Sequence, residues 1–320
     1  MNEFTIINQY FKQHPSNRPD VINGIGDDAA IVKPPLNMDL AISTDTLISG
    51  VHFPETTNPY DVGYKSLAVN LSDLAAMGAD PAWVTLSLTL PEINPDWLQH
   101  FTYGFFALIN QFKLQLIGGD LTRGPLSVTV QVIGFVPNNK ALLRSKAKPS
   151  DLVYVTGTLG DAGLALLTFQ KKMQLKQANL AFLMNRLQRP EPRLRCGQIL
   201  RDYASSAIDI SDGLVADLNH ILEESHVGAM INVDKLPMSA AVSNSIPINE
   251  ATSLALTAGD DYELCFTIPP HQRAEMENKL SALACQFTCI GEIIEQQELI
   301  LQYQDGTKYT GPQKGYEHFK

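Results

Sequence analysis

Aspartate recurs in five short segments rich in glycine, serine and threonine. They are Gly24-Ile25-Gly26-Asp27-Asp28-Ala29-Ala30, Ser43-Thr44-Asp45-Thr46, the Asn70/Asp73 pair, Gly118-Gly119-Asp120-Leu121-Thr122, and Ile208-Asp209-Ile210-Ser211-Asp212-Gly213. Glycine lets backbone pass close to a ligand, and the adjoining carboxylates and hydroxyls then meet it. Such oxygen donors suit Mg²⁺, which takes one or two carboxylates plus water and substrate phosphates. Converged without a cation, each close carboxylate pair would repel by about 4 kcal/mol at an effective dielectric near 20. The alternative for each segment is local: Asp212 as the cap of the helix that follows, Asp27 and Asp28 as turn residues.

No GxxxxGK[ST] phosphate loop is present, and Gly157-Thr158-Leu159-Gly160-Asp161-Ala162-Gly163 reads GxxGxxG rather than GxGxxG. That stretch is expected to be a tight strand-to-helix turn in preference to a phosphate cradle. A nucleotide-using enzyme built on this chain would hold ATP mainly through metal ions.

The elements around these motifs mix strands and helices without strict βαβ alternation, which predicts an α+β fold and not a doubly wound sheet. Strands are expected at 40–44, 83–90 and 126–135, with the Gly118–Thr122 motif ending another. A helix should start at Asn58-Pro59 and stop at Gly78, and a second should cover about 95–112. The polar, proline-containing stretch Lys146–Ser150 marks a boundary, dividing the chain into 1–148 and 149–320. Beyond it the pattern predicts a strand at 152–156, a helix to 167, helices through 201, a strand at 207–210 and a helix from Asp212. Strands near Ala229 and Tyr262, a helix over 271–283 and a strand pair within 287–303 complete it. Phe4, Ile7 and Phe11 read as one face of an N-terminal amphipathic helix.

Length and composition agree with two soluble domains: 320 residues, 44% hydrophobic and 18% charged. A formal net charge of −10 argues against nucleic acid as a partner. No run approaches the ~20 apolar residues of a membrane span, and no basic-then-apolar leader is seen, so a cytoplasmic location is expected. Cys196, Cys265, Cys285 and Cys289 form no CxxC pair, and they read as buried free thiols. The strand runs of the first half are expected to cover their edges by pairing with a second copy.

The motifs GIGDDAA, STDTLISGVHF, NLSDLAAMGADP, LIGGDLTRGP, IDISDGL, GDDYELCF and KGYEHF, in this order, resemble the thiamine-monophosphate kinase family, and the resemblance extends from Phe4 to Phe319. That family shares its fold with aminoimidazole ribonucleotide synthetase, selenophosphate synthetase and a hydrogenase maturation protein. The resemblance implies a two-domain α+β fold, an N-terminal sheet paired across a homodimer, and an α/β C-terminal domain. It implies ATP-dependent phosphorylation of thiamine monophosphate, with several Mg²⁺ ions bridging the ATP phosphates. The implied metal ligands are Asp28, Ser43, Thr44, Asp45, Asp73, Asp120, Asp209 and Asp212. The implied ATP contacts are Gly119, Asp120, Arg144 and Ser211, and the implied substrate contacts are His52, Asp260 and Tyr316. The family usually has Gly-Gly-Glu where this chain has Ala258-Gly259-Asp260.

Each carried-over residue also has a plainer reading. Arg144 either binds ATP phosphate or is a solvated arginine beside Lys146 and Lys148. His52 either contacts the acceptor or is a strand-end histidine satisfied within the fold, and Tyr316 either stacks on the thiamine rings or packs the tail. Trp83 and Trp97 read as core. A phosphate-monoester acceptor, whose second pKa is near 6, supplies its own oxyanion and needs no general base. The rivals are a synthetase of the same superfamily and a non-catalytic metal- and nucleotide-binding protein.

Overall fold

A computed structural model describes residues 2–12 and 18–315. The chain divides into two compact units: one runs to Leu74 and includes Ala79–Asn139, the other is Ala75–Gly78 with the chain from Lys140 onward.

The first unit contains α1 (Glu3–Ile6), β1 (Val21–Asn23), β2 (Ile31–Val32), β3 (Met38–Ile48), α2 (Pro59–Ala76), β4 (Asp80–Leu90), α3 (Pro95–Phe112), β5 (Gln115–Arg123) and β6 (Ser127–Pro137). Four strands form a sheet in the order β3-β6-β4-β5, antiparallel except for the β4–β5 pair that α3 connects. Asn58 accepts the Tyr60 amide at the start of α2, and Asn94 accepts the Trp97 amide at the start of α3. Lys113, left-handed at φ 56°, ends α3. These two helices approach closely because Gly63 and Gly104 carry no side chain: a Cβ there would stand 2.1 Å from the Phe101 carbonyl and 1.9 Å from that of Tyr60. Edge strand β3 leaves Leu40, Ile42 and Ile48 exposed.

Of the two tryptophans expected in the core, Trp83 is buried and Trp97 is only half-buried. Trp83 lies edge-on to Phe135 and donates to Asp20, while Trp97 stacks on Phe101. The N-terminal face differs from expectation. After α1 the chain widens into a π-helical turn over Ile7–Phe11, which rotates Ile6, Tyr10 and Phe11 inward and leaves Phe4 exposed. The Gly118–Asp120 motif also lies inside β5 rather than at its end.

The second unit contains β7 (Leu152–Thr156), α4 (Asp161–Phe169), α5 (Gln177–Gln188), α6 (Leu194–Leu200), β8 (Ser206–Asp209), α7 (Leu214–Ser225), β9 (Gly228–Asn232), α8 (Ala240–Ser243), α9 (Ile248–Thr257), β10 (Leu264–Ile268), α10 (Arg273–Ser281), β11 (Phe287–Ile294) and β12 (Leu299–Gln302). Its sheet runs β12-β9-β11-β7-β10-β8. The two strands within 287–303 therefore do not pair with each other; β9 separates them. Tyr262 precedes its strand, in a left-handed conformation at φ 50°. The Gly157–Gly163 stretch is the tight turn expected, with Gly160 at the head of α4. All four cysteines are free thiols, but only Cys196 and Cys265 are buried, Cys285 and Cys289 being half-exposed. No helix among the described residues is long and apolar enough to cross a membrane.

Candidate active site

In the first unit a cavity of 670 Å³ opens between the N-terminal helical segment, the 25–30 loop and strands β4 and β5. Phe4, Ile7, Phe11, Leu86 and Leu116 give it an apolar wall, and Asp27, Asp28 and Asp120 give it an acidic one. The GIGDDAA motif is the loop of the β1–β2 hairpin. Within it Asp27 is spent locally, accepting from the Asn23 amide group and the Asp28 backbone, whereas Asp28 is exposed. Lys12, which the sequence reading did not single out, also lines the cavity, its Nζ 2.9 Å from where a Cβ of Gly26 would stand. Gly119 is fixed by packing: at φ 153° its Cβ would fall 1.8 Å from the Leu86 carbonyl oxygen across the β4–β5 pair.

Asp45 on β3 and Asp73 on α2 form a second acidic feature of the same unit. Ser43 donates its hydroxyl to Asp73 Oδ2 at 2.5 Å, and Asn70 accepts the Asp45 amide at 3.0 Å. Burial, then the charge of Asp73, push the Asp45 carboxyl up to about 7. Such a pair fits a hard divalent cation, which would remove the repulsion that raises Asp45. Strand alternation separates Thr44 from this corner: its hydroxyl lies on the other face of β3 and accepts from Gln131 at 3.3 Å. Among the described residues no three His, Cys, Asp or Glu side chains converge as a ready-made metal cage. The carboxylates come in pairs and singly, so water and phosphate would have to complete any Mg²⁺ shell. His52 closes the turn after β3, its Nδ1 accepting the Ile48 amide at 3.0 Å. That bond is the fold-internal satisfaction anticipated as the plainer reading, and it leaves Nε2 as the ring's other polar atom.

In the second unit β8 ends at the buried Asp209, opposite Leu264 of β10. Asp212 does not cap α7, contrary to the local alternative: Gly213 occupies the N-cap position. Asp217 does the capping from inside the helix, its Oδ2 accepting the amides of Ser211, Asp212 and Gly213 at 3.0, 3.0 and 3.1 Å. Burial is the main cause that pushes the Asp217 carboxyl up to about 7, against the pull of those amides. The Asp260 amide donates to the Ser211 carbonyl, and Asp260 is left-handed at φ 68°, a conformation that aspartate tolerates better than glutamate does. Ser211, Asp212 and Asp260 are thereby gathered at one end of α7. Arg144 is not among them: its carbonyl accepts from Ser225 at the helix's far end, about 18 Å away by helix length. Its side chain is exposed. Tyr316 lies outside the described residues.

Beneath the Asp260 turn lies an ion network that the sequence reading missed. Glu263 is fully buried and accepts from the two-pronged fork of Arg193, from Arg186 Nη2 and from the Thr156 hydroxyl, at 2.6–2.8 Å. Asp261 accepts the Gly160 amide at 2.7 Å at the start of α4. The spacing of these partners along the chain, 156 to 263, gave no local signal.

A two-layer acidic cleft unit joined to a mixed six-stranded unit defines the class. Residues 26–136 match the AIR synthase related protein N-terminal domain, and residues 148–304 match the corresponding C-terminal domain. The chain belongs to the thiamine-monophosphate kinase family within that class. It is 49% identical to the thiamine-monophosphate kinase of Salmonella typhimurium over 318 residues, which are 99% of this chain and 98% of that one. The crystal structure of thiamine-monophosphate kinase from Stenotrophomonas maltophilia K279a superposes with a TM-score of 0.86 at 46% identity, covering 91% and 93% of the two chains. AaThiL complexed with AMPPCP and TMP gives 0.77 at 32% identity, covering 92% of each.

Proposed function

We propose that this protein transfers the γ-phosphoryl group of ATP to thiamine monophosphate, releasing ADP and thiamine diphosphate. The observation that carries the reading is the relationship to thiamine-monophosphate kinases, which extends through both units at 49% identity. Comparing ADP release with thiamine monophosphate against release without acceptor tests it; equal rates would overturn it.

The residue roles are those the family resemblance implies, set against the geometry of each unit. Asp45, Asp73 and Ser43 form one Mg²⁺ corner, and the exposed Asp28 and Asp120 offer a second beside the cavity. Thr44 belongs to the ligand set through its backbone, because its hydroxyl faces the other way. Asp209 and Asp212 are the second unit's ligands. Bound Mg²⁺ neutralises and aligns the polyphosphate. The apolar wall of Phe4, Ile7 and Phe11 suits a nucleobase. Gly119 and Ser211 face the phosphates of ATP, and Asp120 meets them through its cation. Arg144, which the resemblance adds to this set with a guanidinium able to make a bidentate contact, lies at the far end of α7 from Ser211 and would reach only a different part of the nucleotide.

On the acceptor side His52 contributes Nε2, Asp260 contributes its carboxylate to the cationic ring, and Tyr316 stacks on it. No residue needs to remove a proton, because the monoester is already ionised near neutral pH. Catalysis is then positioning and charge neutralisation.

We further infer a homodimer through the sheet of the first unit, where Leu40, Ile42 and Ile48 lie exposed on edge strand β3. The acidic net charge of −10 supports small-molecule partners over nucleic acid, and we assign the protein to the cytoplasm.

A further inference from the structure

Asp217 lies buried in the first turn of α7, and no step of the proposed transfer uses it. Its Oδ2 gathers three consecutive amides, those of Ser211, Asp212 and Gly213, onto one oxygen. The turn is gripped from the neighbouring segment as well. The Ser211 carbonyl accepts the Asp260 amide and the Ile210 carbonyl accepts the Tyr262 amide, both at 2.8 Å. Two glycines let the segments meet. A Cβ at Gly213 would stand 2.9 Å from the Thr257 oxygen, and one at Gly259 would stand 2.3 Å from the Ser211 oxygen. The two grips differ in kind. The bonds to residues 260–262 are backbone to backbone, whereas all three amides of 211–213 depend on one side-chain carboxyl.

Three amides converging at the start of a helix are an anion-binding arrangement. Here the chain's own carboxyl fills it, so the amides are already taken when a phosphate arrives. The turn then meets ligand through the side chains of Ser211 and Asp212, both half-buried.

We propose that Asp217 is the positioning residue of this turn. It fixes the backbone from which Ser211 and Asp212 reach the cation and phosphates of the nucleotide, and it keeps the helix start closed to a bare phosphate. The inference rests on the roles proposed above for Ser211 and Asp212. Without the carboxyl, three amides lose their acceptor and turn toward water or phosphate, carrying Ser211 and Asp212 with them. Supporting bonds that orient a metal's ligands are worth about 10–100-fold in metal affinity or activity.

The test compares the full chain with its Asp217→Ala and Asp217→Asn variants. Asparagine keeps an oxygen where the amides converge, and alanine keeps none. Hydrogen exchange on the metal-free proteins reads the turn directly. The amides of 211–213 should be protected in wild type and Asp217→Asn, and should exchange roughly tenfold faster or more in Asp217→Ala, with β7 and β10 unchanged. Inorganic phosphate should slow that exchange in Asp217→Ala and leave wild type as it was. Calorimetry with a non-hydrolysable ATP analogue and Mg²⁺ reads the consequence: affinity should fall about 10–100-fold in Asp217→Ala, and Asp217→Asn should recover most of the loss. In turnover, the Mg²⁺ concentration for half-maximal rate should rise by a similar factor. A purely structural role would lower melting temperature and active fraction while leaving the folded protein's analogue affinity unchanged, and that result would overturn the proposal. So would an asparagine variant no better than alanine, or freed amides indifferent to phosphate. Fast exchange of 211–213 in the wild-type chain would overturn it on the unmutated protein, whether or not a variant folds. A wild type that binds the analogue but releases no ADP with thiamine monophosphate would overturn the proposed acceptor and leave the role of Asp217 standing.

Discussion

Asp45 and Asp73 share one corner of the first unit, where burial first and the charge of Asp73 second push the Asp45 carboxyl up to about 7. A carboxyl whose folded pKa lies above its unfolded value of 3.8 binds more protons folded than unfolded between those values. Its stabilising effect is therefore present below about pH 4 and lost as pH rises through 7. Without divalent cation, melting temperature should fall between pH 5 and 8. Asp45→Asn should flatten that slope and melt about 3 °C above wild type at pH 8. Thermal scans in EDTA decide it; a wild-type curve that rises over this range would refute the coupling.

The same pair and the exposed Asp120 should matter differently for turnover than for folding. Asp45→Asn and Asp120→Asn keep side-chain shape and remove one negative charge each, at positions proposed to hold metal. Each should lower kcat on the order of 100-fold or more at saturating Mg²⁺, the usual cost of one preorganised electrostatic contact. Folding should survive in both. Wild-type turnover in either variant would remove that position from the metal set.

Asp260 tests whether the shorter carboxylate is adapted to its backbone. At φ 68° the residue is left-handed, and aspartate reaches that region more readily than glutamate. Asp260→Glu should therefore cost about 0.5–1 kcal/mol in stability by straining the turn held by the Ser211 carbonyl. Denaturation midpoints at fixed pH measure the strain, and a Glu variant as stable as wild type would argue against it.

Much of this site was legible because its chemistry is local in sequence. Gly24–Ala30 and Ser43–Thr46 show their glycines, hydroxyls and carboxylates within a few positions; the first is a hairpin loop, and the second lies inside edge strand β3, which runs on to Ile48 instead of ending at Thr44. Alternation along β3 also separates Thr44 from Ser43 and Asp45, a consequence of strand geometry that residue types alone conceal. Asp217 escaped notice because an aspartate within an amphipathic helix reads as a solvated face; its role appears only when the preceding loop folds back over it. Glu263, Arg186 and Arg193 were silent for a related reason. Their partnership is made by the order of strands and by α5 and α6 lying over them, and strand order follows from long-range pairing. The insertion of β9 between β11 and β12 is another such pairing.

The exposed apolar residues of β3 give the assembly prediction. If a second copy covers this edge, Ile42, 60% exposed in the single chain, becomes interfacial. Sedimentation at micromolar concentration should show twice the 35.2 kDa chain mass, and Ile42→Asp should shift the protein toward the single-chain species. A wild-type protein sedimenting only as one chain would count against the paired sheet.

Acceptor choice is the sharpest test of the catalytic reading. If the acceptor is a phosphate monoester, it arrives as an oxyanion and the enzyme needs only to place it in line with the γ-phosphorus of ATP. Unphosphorylated thiamine would bring a hydroxyl that must lose its proton. His52, the nearest histidine in sequence to the acidic motifs, accepts the Ile48 amide at Nδ1, so in the neutral ring Nε2 carries the proton and is a donor rather than a base. Thiamine monophosphate should therefore give product, and thiamine less than about one part in a thousand of that rate, consistent with general-base catalysis being worth about 10²–10⁴-fold. The pH profile should show no titrating base above pH 7 and should fall below about pH 6, where the monoester gains its second proton. ADP release followed with each acceptor from pH 5 to 9 measures both. Comparable rates with thiamine would defeat the assignment, and a His52→Ala variant that then lost activity with thiamine alone would identify the base.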